Sequence, residues 1–343
     1  AGGCFRCLVV AATFSFRNGA QRMNALHDAA GGRSYSWWHE VVIGVSLILV
    51  LLVAGWLVPG FLKPESQLLL SRQLWEFSIL ALGMTLIIIT GGIDLSVGST
   101  MGLSAVAFGG VHEVSGSLFA AGLACLATGL ICGAVNGALI AGLRLHPLIV
   151  TLATFAAYRG IAEGWSQGCS YSRFGDDFSD FARDSWFGVP VPGAIFCLMA
   201  IAFSIFLSRT PDGRFLYAIG HNERAAKFSG IAVDRIRFWL YTTSGLLAGL
   251  ASLIYVARFD TAKADVGKGF ELDVITAVVL GGTSIYGGRG SILGTTLGLL
   301  LIHETKLFVS RYWGSDELRS IVIGNLLIVA VLACQMVLRK RRH

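Results

Sequence analysis

The chain has 343 residues, of which 54% are hydrophobic and only 14% charged, and its mean hydropathy is +0.68. A soluble domain carries roughly 25% charged residues, so this shortfall excludes a soluble globular protein and indicates a chain that crosses a membrane repeatedly. The formal net charge of +6 is not a nucleic-acid footprint, because the excess sits largely in loops and tails, where Lys and Arg set membrane orientation.

Residues 1–22 (AGGCFRCLVVAATFSFRNGAQR) match nothing downstream, and Met23 is the first methionine. Their short apolar stretch flanked by arginines has the form of a weak signal peptide or of sequence upstream of a true start at Met23. The second is the expectation, and no function is assigned to them. Cys4 and Cys7 form a lone C-x-x-C without a second pair, so no metal or redox site is expected. Cys125, Cys132, Cys197 and Cys334 fall in apolar runs, where a thiol packs as a small hydrophobe.

A helix needs about 20 mostly apolar residues to span the hydrocarbon core. Candidate spans are 41–58, 74–90, 95–111, 118–141, 146–162, 191–208, 238–257, 273–287, 291–309 and 319–338, several of them short. The expected fold is an all-α polytopic bundle of about ten transmembrane helices, or eight with two re-entrant segments. Its 43 glycines suit close helix packing in lipid. Residues 1–40 form an N-terminal segment, 41–338 the transmembrane domain and 339–343 a basic tail. No polar stretch is long enough to bury a core of its own. Positive charge orients the chain. The RKRRH tail, the loop 209–237 with Arg209, Arg214, Arg224, Lys227, Arg235 and Arg237, and residues 1–40 with four arginines all read as cytoplasmic. The loop 163–190, with Glu163, Asp176, Asp177, Asp180 and Asp184 against Arg173 and Arg183, reads as external.

Two pairs of spans have almost no connecting loop. The first is joined by TGGIDLSVGST (90–100) and the second by GGTSIYGGRG (281–290). Irregular backbone at bilayer depth is tolerated only against protein or a water-filled cavity, and glycine-interrupted spans in matching positions point to a transport pathway. Broken helices are therefore expected near 90–98 and 281–290. The pathway candidates are Gly91, Gly92, Asp94, Ser96, Gly98, Gly281, Gly282, Ser284, Gly287 and Gly288. The two stretches align as an internal repeat, Gly91-Gly92 on Gly281-Gly282 and Asp94 on Ser284. Asp94 or Ser96 could cap the helix that follows. Asp94 could equally line a pathway or carry an ion. Other ionisable groups in the spans are few: Glu76, Arg159, His303 and Glu304, all near ends.

Within 209–237, Asn222 has the makings of an N-cap, Glu223 to Phe228 is compatible with a helix, and Gly230 is its stop. A short polar helix between spans has no bilayer reason to exist and reads as a docking element. The chain has no G-x-x-x-x-G-K-[ST] phosphate loop, no H-E-x-x-H, no G-x-S-x-G and no credible metal cluster. It is expected to hydrolyse nothing itself and to bind no cofactor of its own.

Three co-linear motifs, TGGIDLSVGS, GRFLYAIGHNERAAKFSGI and FELDVITAVVLGGTSIYGGRGSILGT, resemble the permease subunits of carbohydrate ABC importers of the ribose/xylose/arabinose/galactoside type. Autoinducer-2 and rhamnose permeases share the pattern, and the resemblance covers about residues 40–338. It implies a multi-pass protein of the bacterial inner (plasma) membrane. Its partners would be a second permease subunit (a copy of itself or a sister), a cytoplasmic ABC ATPase that binds the ATP, and an extracytoplasmic sugar-binding protein. ATPase coupling falls to Gly213, Arg214, Asn222, Glu223, Ala226 and Gly230 by this resemblance. The segment 303–320 is more polar and aromatic than the ribose type. The competing classes are an ion-coupled secondary transporter using Asp94, which would not need the loop 211–237, and a membrane scaffold, which would gain nothing from broken spans.

Overall fold

The computed structural model describes residues 39–71, 74–175, 178–180, 184–186 and 189–314, with 318, 321–322 and 324–325 beyond them. Residues 1–22, the Cys4–Cys7 pair, the basic tail and nearly all of the expected span 319–338 lie outside the described residues.

The helices fall where the apolar runs place them: α1 (His39–Leu57), α2 (Pro64–Ser71), α3 (Trp75–Ile89), α4 (Val97–Ser115), α5 (Leu118–Gly137), α6 (Pro147–Ser166), α7 (Val191–Arg209), α8 (Pro211–His221), α9 (Glu223–Phe228), α10 (Val233–Phe259), α11 (Phe270–Leu280) and α12 (Ile292–Trp313). A π-turn, Ala138–Gly142, extends α5. The described β structure amounts to two-residue pairings, Tyr171–Ser172 with Thr261–Ala262 and Ser185–Trp186 with Val189–Pro190. Among the described residues, five of the expected spans, α1, α5 with its π-turn, α7, α10 and α12, are long and apolar enough to cross a membrane, whereas α3, α4, α6 and α11 are not. The expected span 273–287 is helical only to Leu280. Its 11 residues reach about 16 Å, roughly half the hydrocarbon core.

From Glu76 to Ile89 every residue of α3 is buried. An apolar helix enclosed on all sides belongs at the centre of a membrane bundle, and α7, α10, α11 and α12 surround it. Two buried residues of its first turn stand out: Glu76, 1% exposed, takes a 2.7 Å hydrogen bond from Arg258 Nε at the end of α10, and Phe77 meets Phe270 edge-on.

The tightest seam joins α5 to α10. A methyl at Gly129 would overlap Gly245 O, and one at Gly133 would overlap Tyr241 O and lie 3.0 Å from Gly245 Cα. Glycines at four-residue spacing on both helices let the backbones touch, the close approach that stands in for hydrophobic drive in lipid. The 27-residue α10, about 40 Å long, fixes two ends of the molecule. At its start, Val233 packs with Ile219 and Ala226. Beyond its far end, Thr261–Ala262 pairs with the segment after α6.

Candidate functional site

Both broken spans are real interruptions, and their backbones end the preceding helix identically. After α3, the Gly91 amide donates to Ile88 O at 2.9 Å and the Gly92 amide to Ile87 O at 3.1 Å. After α11, the Gly282 amide donates to Val279 O at 2.9 Å and that of Thr283 to Val278 O at 3.2 Å. These are Schellman caps, which need a left-handed residue at the turn. Gly91 (φ +80°) and Gly282 (φ +91°) supply it. Backbone equivalence thus pairs Gly91 with Gly282, one residue off the expected pairing of Gly91 with Gly281. Asp94 is then not the counterpart of Ser284. Ser284 closes a separate turn, its amide donating to Arg289 O and its carbonyl accepting from the Gly287 amide. The next helix starts after Ser96 in one repeat and after Ser291 in the other.

Asp94, 2% exposed, does not cap α4 through the helix's own first amides. Its Oδ1 accepts from the Ser96 amide (2.9 Å) and Ser96 Oγ (2.6 Å), and its Oδ2 accepts from Ser244 Oγ of α10 (3.2 Å). Asn136 of α5 donates to Ser96 Oγ at 2.8 Å, and Thr151 of α6 donates to Ile93 O at 3.2 Å. Tyr241 O–H packs on Gly92. The Asp94 carboxylate therefore ties the first break to α10, and Ser96 ties it to α5. Further along α4, Arg159 of α6 donates to the carbonyls of Gly98, Ala264 and Val266, so the stretch before α11 is held flush on Gly98.

The second break rests on different elements. Ser291 accepts from the Gly294 amide (2.9 Å), capping α12, and donates to Glu40 Oε1 of α1 (2.6 Å). His39 lies 3.3 Å from Leu280 O and packs on Gly282. Gly281 is pressed against Gly294, and Gly287 and Gly288 turn through left-handed conformations. The two breaks touch: the Gly288 amide donates to Ile89 O at 2.8 Å.

The segment 211–237 opens with two short helices. Thr210 caps α8 through the Gly213 amide (3.1 Å), and Gly213 packs without clearance on Phe206 O. Asn222 caps α9 through the Ala225 amide (3.0 Å). Gly230 (φ +84°) closes a third Schellman turn, its amide donating to Lys227 O and the Ile231 amide to Ala226 O. Glu223 accepts from Arg237 of α10 (2.7 Å) and from Lys227 (2.8 Å). Desolvation pushes its carboxyl upward, but the hydrogen bonds from Arg237 and Lys227 outweigh it and hold it below the ordinary value. Arg214 is exposed, whereas Ala226 is buried between Ile219 and Val233. The apolar group the segment presents outward is Phe228, 92% exposed. The residues not anticipated from sequence are Phe228, Asn136, Tyr217 and Gly220. The last two lie on the inner face of α8, where Tyr217 donates to Gly290 O at 2.9 Å.

A polytopic helical bundle with two touching helix breaks, and a capped amphipathic unit against them, defines a membrane permease. The chain belongs to the family described as branched-chain amino acid transport system / permease component, whose model matches residues 69–331. It is 35% identical to the autoinducer 2 import system permease protein LsrD of Photorhabdus temperata, over 91% of this chain and 95% of that one. It is 34% identical to LsrD of Yersinia pseudotuberculosis serotype O:3 (strain YPIII), over 88% and 91%. It is 39% identical to the ribose import permease protein RbsC of Bacillus subtilis (strain 168), over 84% and 90%. No solved structure gives a significant match. The chain is therefore the membrane permease subunit of an ABC importer, a transport component without catalytic activity of its own.

Proposed function

We propose that this chain lines the pathway of an ATP-driven importer for a sugar or sugar-like solute in a bacterial inner membrane. It pairs with a second permease, receives solute from an extracytoplasmic binding protein, and binds a cytoplasmic ATPase on residues 211–237. The substrate class follows from the relatives named for ribose and autoinducer 2 import. The observation that carries the docking is α9 itself. Six residues are capped at both ends, clamped to α10 by Glu223, and carry Phe228 almost fully exposed. An ordered helix presenting a bare aromatic ring beside basic Arg224 and Lys227 is built to meet a protein groove.

On this reading both termini and 209–237 are cytoplasmic, and 163–190 is external. Gly213, Arg214, Asn222, Glu223, Ala226 and Gly230 serve coupling, Ala226 and the two glycines by shaping the segment. Gly91, Gly92, Asp94, Ser96, Gly98, Gly281, Gly282, Ser284, Gly287 and Gly288 form the broken helices beside the pathway. Asp94 acts as a clamp, since both its oxygens are already occupied by donors from Ser96 and Ser244.

The test is affinity purification of the detergent-solubilised chain from its native membrane, with mass spectrometry of what accompanies it. An ATPase carrying a phosphate loop is expected with the native chain and is lost with Phe228→Asp. A chain that arrives alone and intact, with uptake that collapses under a protonophore while ATP stays high, would overturn the reading in favour of ion coupling.

A further inference from the structure

The inner face of α8 meets both helix breaks at one point. A methyl at Gly220 would overlap Ile89 O, the last carbonyl of α3, and the Gly288 amide of the second break. Those two atoms are hydrogen-bonded to each other at 2.8 Å, so Gly220 sits over the bond that joins the breaks. One turn earlier, Tyr217 O–H donates to Gly290 O at 2.9 Å, at the residue before the cap of α12. One residue later, the His221 ring covers Gly288. The Gly287 backbone is wedged between Gly91 and Gly220. The close approaches at Gly220, Gly287 and Gly288 leave no room for a side chain, and backbone packed this closely transmits displacement rather than absorbing it.

We propose that Tyr217 and Gly220 are positioning residues that lock α8 to the junction of the two helix breaks, so that displacement of the docking segment is delivered where the end of α3 meets the second break. This rests on the reading of 211–237 as the ATPase dock. It adds that the stroke enters the bundle at the junction of Ile89, Gly220 and Gly288, and not along α10. The face of α9 that meets the ATPase is separate, so docking and transmission are separable by mutation. Tyr217→Phe keeps the ring and deletes only the hydroxyl. Gly220→Ala inserts one methyl into the junction.

The experiment reconstitutes the permease with its co-purified ATPase and binding protein in proteoliposomes, and measures ribose uptake and phosphate release together. In Tyr217→Phe, the loss of one neutral hydrogen bond lowers solute moved per ATP about fivefold, with ATPase association and phosphate release retained. Gly220→Ala lowers the ratio further. Should Gly220→Ala fail to accumulate in the membrane, Tyr217→Phe decides alone. A wild-type ratio in Tyr217→Phe overturns the proposal, and so does a proportional fall of uptake and hydrolysis, which marks a docking or folding defect. Failure of the docking reading shows separately, as absence of the ATPase from the unaltered chain.

Discussion

Replacing Asp94 separates its charge from its hydrogen bonds. Asp94→Ala strands three donors: the Ser96 amide, Ser96 Oγ and Ser244 Oγ. A buried donor left without a partner costs about 1–3 kcal/mol. Ser244 lies in a helix and can turn its hydroxyl to a carbonyl one turn back, so the net loss comes to about 3–5 kcal/mol. Asp94→Asn keeps a carbonyl oxygen on Ser96 and places its amide nitrogen at Ser244, whose hydroxyl reverses and accepts. The charge assistance disappears, worth about 1 kcal/mol, and so does the cost of enclosing a carboxylate with no basic partner among its bonded neighbours. The Asn variant should therefore stay within about 1 kcal/mol of the native protein. Denaturation of the detergent-solubilised protein, followed by tryptophan fluorescence, ranks the three. Equal destabilisation of Asn and Ala would refute the reasoning, because the charge itself would then be what the site needs. A native-like Ala variant would refute it from the other side.

The α5–α10 seam predicts a contrast between two glycines. Gly133→Ala meets Tyr241 O and Gly245 Cα, whereas Gly160→Ala has nothing within 4 Å. The first should cost about 1–3 kcal/mol by overpacking and the second should gain about 0.5–1 kcal/mol in helix propensity, read as melting temperatures in detergent. Arg258→Met leaves the buried Glu76 carboxylate without its partner and should cost about 3–5 kcal/mol. Adding Glu76→Gln should restore most of it, and equal losses in single and double variants would contradict the pairing. The Glu223 carboxyl is held below its ordinary value, so its contribution is present above that value and fades as pH falls through the lowered one. A spin label at position 228 should become mobile under acid in the native background, and be mobile already at neutral pH in Glu223→Gln. Cysteine reporters at 180 and 228 should label from opposite sides of the membrane.

Although α2 and α8 fall outside the apolar runs, the positions of the apolar helices were legible because those runs are long and local. The α9 unit was legible for the same reason: Asn222, Glu223 and Gly230 carry their own capping chemistry within nine residues. The repeat register was not. Each break begins with a Gly-Gly pair, and only the chain's left-handed turn says which glycine is the cap; the first pair uses its first member and the second pair its second. The seam had a signal, Gly129 and Gly133 facing Gly245 and Gly249 at four-residue spacing, with Gly137 one turn on against Phe238, but pairing α5 with α10 requires knowledge of which helices touch. The partners of Asp94 were beyond reach for the same reason, since Ser244 lies 150 residues away. The helical nature of α8 was hidden by Gly213 and Gly220, residues that weaken a helix by propensity and are present because neighbouring backbone leaves no space for a side chain.

The two breaks share a backbone cap but not a setting, and the difference assigns them different mobility. The first is bound by Asp94, Asn136, Thr151 and Tyr241 to α5, α6 and α10, of which α5 and α10 are joined by the glycine seam. Moving it alone would break several buried polar contacts together. The second is bound by Glu40 and His39 from α1, largely exposed along its length, and by Tyr217 from α8. Its anchors are one peripheral helix and α8. A single backbone hydrogen bond, Gly288 to Ile89, then links the break that is fixed to the break that is held from outside. A force applied through α8 acts where the bundle is least constrained, and the glycines at 287 and 288 give the chain the left-handed turns by which the second break can reach that point.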